Sequence, residues 1–91
     1  MGSVTPAEAQ RFHNDAEARG TWLMWFVSTT HPDYPGKAVA WAVAADPSGG
    51  TRVPGGLVAN TLDELRALLP PGLTRRDRTS VMPVMVLETW D

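Results

Sequence analysis

The sequence contains no cysteine, and this absence excludes disulfide bonds and thiolate metal sites. No apolar run approaches the about 20 residues that a membrane-spanning helix needs. The first residues carry neither the basic nor the apolar region of a signal peptide. We therefore expect a cytoplasmic chain that does not enter a membrane, needs no cofactor and depends on side-chain packing for its stability.

Excess charge of either sign is also missing. Eight basic and ten acidic residues leave a net charge of −2, so a strongly basic nucleic-acid-binding protein is not expected, although a local basic patch stays open. The apolar share of 43% and the charged share of 20% are typical of globular proteins. The 91 residues predict one domain over 1–91, with residues 1–5 disordered or left over from cloning.

Capping signals predict two helices. Thr5, followed by Pro6 and Glu8, favours the start of a first helix that ends near Gly20. Thr61 and Glu64 form a second such signal, before a leucine stripe that stops at Pro70.

Apolar runs predict four strands, which are residues 21–28, 38–45, 57–59 and 81–89. The first strand is apolar on both faces, with Leu23, Trp25 and Val27 on one and Trp22, Met24 and Phe26 on the other. The second has Ala38, Ala40, Ala42 and Ala44 on one face and Val39, Trp41 and Val43 on the other. Its alanine face leaves room either for close approach of another backbone or for large side chains from a neighbour.

The element order α-β-β-β-α-β predicts an α+β fold. We expect a three- or four-stranded, largely antiparallel sheet with two helices on one face. Residues 46–56, rich in glycine, are expected to form a flexible connection, and residues 74–80 a polar, arginine-rich loop.

Four segments carry a resemblance. The runs at 25–27 (WFV), 32–36 (PDYPG), 57–66 (LVANTLDELR) and 69–73 (LPPGL) resemble a group of short uncharacterised bacterial proteins. The similarity extends over residues 21–90 and leaves the first helix outside. It implies a compact domain and brings no activity with it.

Titratable and aromatic side chains cluster in one loop, at His31, Asp33 and Tyr34. A carboxylate beside an imidazole can form an acid–base pair, but these residues and the adjacent prolines are equally ordinary in turns. His13 and His31 are 18 positions apart and have no paired-ligand spacing, so no metal site is predicted. No nucleophile motif indicates a catalytic residue.

One basic cluster stands out, at Arg75, Arg76 and Arg78. Three guanidinium groups could bind an anion bidentately, but Asp77 reduces the charge and a solvated loop explains the run equally well. The second helix lacks the lysines with which a double-stranded-RNA-binding domain of similar element order contacts phosphates. Nucleic acid is therefore not an expected partner.

Tryptophan is unusually frequent for a chain of this size, and its four positions are Trp22, Trp25, Trp41 and Trp90. These side chains could simply fill the core. Two thin helices, however, can cover only one side of the sheet, so the other side needs a partner. We expect a non-enzymatic interaction module that pairs with a second copy or with another protein, and the candidate interface residues are Trp25, Trp41, Val39 and Val43.

The alternative is a small-molecule binder or enzyme, with a pocket between sheet and helices that is lined by Trp25 or Trp41 and rimmed by residues 31–34. Inhibition of a larger assembly fits only the size of the chain.

Overall fold

The computed structural model describes residues 2–46, 49–77 and 85–91, which form two helices and five antiparallel strands. This is the expected α+β class, with more strands than predicted. The elements are α1 (Pro6–Ala18), β1 (Trp22–Ser28), β2 (Ala38–Asp46), β3 (Gly49–Ala59), α2 (Leu62–Leu68), β4 (Arg75–Asp77) and β5 (Glu88–Trp90). The sheet order is β3-β2-β1-β5-β4, so β1 lies at the centre.

Both helices begin at the predicted caps. The Thr5 side chain accepts a hydrogen bond from the backbone N–H of Glu8 at 3.2 Å, and the Glu8 carboxylate accepts one from the backbone N–H of Thr5 at 3.1 Å. Thr61 caps α2 by accepting from the backbone N–H of Glu64 at 3.2 Å. These bonds satisfy donors that the first turn of a helix leaves unpaired, which is why the sequence signal was reliable.

The connection predicted as flexible is largely strand. β3 begins at Gly49 and runs along β2, with a register shift between Trp41 and Val43. Pro54 is tolerated because β3 is an edge strand. Gly55 has a φ of +84°, a conformation that glycine adopts without strain. Glycine and proline here mark an irregular edge rather than a loop.

The carboxyl-terminal strands also differ from the prediction. Arg75–Asp77, expected to be loop, form β4, which pairs with β5 and raises the strand number to five. The predicted strand 81–89 is shorter where it can be compared, because β5 begins only at Glu88. Residues 78–84, and with them Arg78 and the start of that predicted strand, lie outside the described residues.

Residues 2–5, for which the sequence predicted disorder or a cloning remnant, lie along the edge of β3. The backbone N–H of Val4 donates to the carbonyl of Gly56 at 2.8 Å, and the N–H of Gly56 donates to the carbonyl of Gly2 at 2.9 Å. Ser3 and Gly56 thereby form a parallel bridge. This segment covers part of the backbone that an edge strand would otherwise expose.

The core lies between the helices and one face of the sheet. Leu23, Trp25 and Val27 of β1 pack there with the buried alanines of β2 and with side chains of both helices. Trp25 pairs directly with Ala42 across the two strands. The small alanine side chains make space for the indole, which is one of the two possibilities that the sequence pattern left open. Both helices pack on this alanine face of β2.

Candidate functional site

The opposite face of the sheet carries the candidate site. Because side chains alternate along a strand, β1 presents Trp22, Met24 and Phe26 there, and β2 presents Trp41 and Val43. We call these five residues the open face, since neither α1 nor α2 belongs to this side of the sheet. Trp22 is 56% exposed, and the other four side chains are partly buried.

An aromatic stack forms the centre of the open face. Phe26 and Trp41 are direct cross-strand partners, and their ring centroids are 5.9 Å apart with an interplanar angle of 22°. Such cross-strand aromatic pairs stabilise a sheet and hold both rings in fixed positions. The open face therefore presents a rigid apolar surface.

The predicted His31–Tyr34 loop borders this face. The His31 ring lies edge-to-face against Trp41 at 5.4 Å and tilted against Tyr34 at 6.4 Å. The structure thus brings His31, Tyr34 and Trp41 together, although Trp41 follows the loop by several residues along β2.

The contacts of His31 favour a structural role over acid–base chemistry. His31 is 8% exposed, and its Nδ1 accepts a hydrogen bond from the backbone N–H of Asp33 at 3.1 Å. The backbone N–H of Tyr34 donates to the carbonyl of His31 at 3.2 Å, closing a tight turn. The sequence predicted that a carboxylate could orient the imidazole, but at Nδ1 the partner is the Asp33 backbone.

Two predicted interface residues are buried. Trp25 is 1% exposed because its position in β1 points toward the helices. Val39 lies on the same face of β2 as Trp41 and Val43, but it is 0% exposed, and its cross-strand partner Ser28 is buried as well. Neither side chain can contact a partner in this structure, so both are corrections to the predicted interface. Trp41 and Val43 do lie on the open face.

Sequence reasoning did not name Trp22, Met24 or Phe26 as interface candidates. The alternation along β1 grouped them correctly, so the signal was present. Choosing which group the helices cover requires the pairing of β1 with β2, which sets Trp25 over the alanines.

A polar rim adjoins the open face. Arg52 of β3 pairs with Val43 across the strands. Together with His31 and Asp33 it lines a shallow depression of about 420 Å³ beside Pro54. The rim therefore carries charges of both signs next to the apolar surface.

The predicted anion-binding arginines are exposed, and both that the structure describes already pair with carboxylates. The Arg75 guanidinium lies 3.6 Å from the Asp77 carboxylate, and Nε of Arg76 donates to the Asp91 carboxylate at 2.7 Å. The third predicted member, Arg78, lies outside the described residues. The pairs neutralise much of the positive charge that an anion would need.

A buried ionic cluster was missed by sequence reasoning. The Glu88 carboxylate is buried and accepts hydrogen bonds from the Arg66 guanidinium at 2.6 and 3.2 Å and from Nε1 of Trp90 at 2.5 Å. Burial raises the pKa of the Glu88 carboxyl, but the hydrogen bonds from Arg66 and Trp90 outweigh it and hold the pKa below its ordinary value. The cluster joins α2 to β5, and we assign it to the fold.

The pocket of the alternative function has different walls from those predicted. A cleft of about 400 Å³ lies between α1 and β3, and its lining includes neither Trp25 nor Trp41. The His31–Tyr34 loop does not rim it either, because that loop packs on Trp41 of the open face. A space between helix and sheet therefore exists, but in another place.

Comparison with known proteins gives no relative for this chain. No family model matches it, and neither a curated protein nor a solved structure is detectably similar. In the described residues, no helix is long and apolar enough to cross a membrane. The resemblance to short bacterial proteins stays a prediction.

Proposed function

We propose that this protein is a cytoplasmic, non-enzymatic interaction module that pairs with a second copy of itself through the open face. One observation carries the proposal: Trp22 is 56% exposed and lies on the same face of β1 as Phe26, whose ring stacks on Trp41 on the side of the sheet opposite the helices. Contiguous exposed apolar surface can mark an interaction site in a monomeric protein.

A second copy suits the shape of this face. Two antiparallel sheets pack face to face with their strands roughly aligned, and the side chains of the two inner faces interdigitate. A two-fold axis places the same patch of each copy against the other. The Phe26–Trp41 stack would supply the rigid anchors that such interfaces favour.

The charges at the rim agree with self-pairing. Arg52 and Asp33 line the same depression at the rim of the open face, and the positive charge of Arg52 already acts on the Asp33 carboxylate within the chain. In a two-fold arrangement, a rim that carries both signs can place each charge near an opposite charge of the other copy. Such rim charges contribute to orientation more than to affinity.

Sedimentation velocity from low to high micromolar concentration tests the proposal. We expect a concentration-dependent dimer for the natural sequence and a monomer for Met24→Glu, because a carboxylate would be desolvated in the middle of the apolar interface. Trp22→Ser, at an exposed position that folding tolerates, should also weaken the dimer. Ala67→Glu places the same charge on the exposed side of α2 and should leave the dimer intact.

A natural chain that stays monomeric over this whole range would overturn the proposal. An equal loss of dimer in Ala67→Glu and Met24→Glu would also overturn it, because the open face would then have no special part in association.

A further inference from the structure

A second feature lies on the helix side of the sheet, in the cleft of about 400 Å³ between α1 and β3. Its apolar lining includes Phe12 of α1, Leu23 of β1, Ala44 of β2 and Val53 of β3. The cleft exists because Ala44 is small and because the register shift after Trp41 makes β3 irregular beside it. Its volume falls within the roughly 300–1,000 Å³ of small-molecule sites.

Three charged side chains line the same cleft: Asp15 and Arg19 on the α1 side and Arg52 of β3. Asp15 and Arg19 are exposed and lie one helical turn apart, a spacing that puts both on one side of α1. The ion pairs found among residues 2–46, 49–77 and 85–91 include neither side chain. The Asp15 carboxylate and the Arg19 guanidinium thus lie beside the apolar walls of the cleft, where each can pair with an opposite charge of a ligand.

The location of the cleft at the carboxyl-terminal end of α1 determines how the charges of a ligand would be oriented. Arg19 is the carboxyl-terminal cap of α1, where the helix dipole is negative. This end favours a bound cation beside Asp15 and disfavours a lone anion. A bound carboxylate would therefore depend on Arg19, whose guanidinium can donate two parallel hydrogen bonds to it.

From this arrangement we infer that the cleft binds a free amino acid with a large apolar side chain. The ammonium group pairs with Asp15, the carboxylate pairs with Arg19, and the side chain lies against Leu23 and Val53. The apolar walls of the cleft lie on the helix side of the sheet, and Arg52 is the residue that the cleft shares with the rim of the open face.

Amide chemical-shift titration by NMR tests the inference with L-phenylalanine and three analogues. Phenylalaninamide lacks the carboxylate, 3-phenylpropanoate lacks the ammonium group, and glycine lacks the apolar side chain. We expect L-phenylalanine to shift the amide signals of Leu23 and Ala44, and each analogue to bind at least several-fold more weakly.

Substitutions assign each charge to its partner. Arg19→Gln should weaken the binding of L-phenylalanine severalfold and leave the binding of phenylalaninamide unchanged. Asp15→Asn should weaken the binding of L-phenylalanine and leave the binding of 3-phenylpropanoate unchanged. Arg11→Gln, an exposed position of α1 that does not line the cleft, is the matched control and should change nothing.

Three results would overturn the inference. The first is the absence of shifts with L-phenylalanine at millimolar concentration. The second is that the three analogues bind as tightly as L-phenylalanine, and the third is an Arg11→Gln effect as large as that of Arg19→Gln. None of these results would bear on the dimer, which sedimentation measures separately.

Discussion

The guanidinium of Arg66 holds the buried carboxylate of Glu88 with two hydrogen bonds, across 22 residues of sequence. Arg66 belongs to α2 and Glu88 to β5, so the pair fixes the last strand to the helix layer. The Arg66 side chain is 30% exposed and that of Glu88 is 5% exposed, so water reaches only one partner freely. The cost of breaking the pair should therefore come mainly from the stranded carboxylate.

Removing Arg66 should destabilise the fold. Arg66→Met leaves the Glu88 carboxylate buried without its cation, and we expect a loss of about 2 kcal/mol, below the range for fully buried pairs because Arg66 is partly solvated. Urea unfolding measures it. The control is Asp63→Asn, which removes a 96% exposed carboxylate 3.6 Å from Arg66 and should cost less than about 0.5 kcal/mol. Equal losses in the two variants would contradict the buried-pair explanation.

The Glu88 carboxyl should make the free energy of unfolding depend on pH. Its pKa is lowered in the folded state from an ordinary value of 4.5, so the folded chain holds the proton less tightly than the unfolded chain. The stabilisation is then present above pH 4.5 and is lost as pH falls through the lowered folded pKa. Unfolding free energies measured across the acid range should fall less steeply in Glu88→Gln. A variant with the slope of the natural sequence would show that other carboxyls are responsible.

Trp22 and Trp25 lie on opposite faces of β1 and should respond differently to truncation. Trp25→Ala removes a fully buried indole and should cost about 3–5 kcal/mol or prevent folding. Trp22→Ala alters a largely exposed side chain and should cost less than about 1 kcal/mol in the monomer. Thermal unfolding at low protein concentration makes the comparison. A larger effect at Trp22 would mean that the two faces are assigned the wrong way round.

Gly55 should not tolerate a side chain. Its φ is +84°, and a Cβ there would come within 2.6 Å of Cγ1 of Val4 and 3.2 Å of the Gly2 carbonyl. Gly55→Ala should therefore cost more than the about 1–2 kcal/mol of left-handed backbone strain alone. Gly72→Ala provides the strain by itself, since its φ is +86° and nothing lies within 4 Å. Equal losses in urea unfolding would mean that residues 2–4 do not pack on β3.

The helices and the central strands could be predicted from local signals in the sequence. The caps at Thr5 and Thr61 act within three residues, and the alternation in β1 and β2 depends only on neighbouring positions. β3 was missed because Gly55 and Pro54 suit turns as well as an irregular edge strand. Only pairing with β2 decides between these possibilities.

Prediction of the candidate sites required tertiary contacts more than prediction of the helices and strands did. Both groups of β1 side chains are apolar, so the sequence could not assign the buried face until Trp25 was paired with Ala42. The Arg66–Glu88 pair joins distant positions, and Glu88 in an apolar run gave no sign of its cation. Asp15 and Arg19 were not singled out from the sequence, because the cleft they line is formed only when three strands and a helix come together.

The alanine stripe beneath Trp25 makes two strands of this chain interdependent in sequence. A smaller residue at 25 would leave a void that only a larger residue on β2 could fill, and a larger residue at 42 would collide with an intact indole. Substitutions at the two positions should therefore be strongly non-additive. Chain variants that keep this fold should exchange bulk between them, and an indole at 25 should be accompanied by a methyl group at 42.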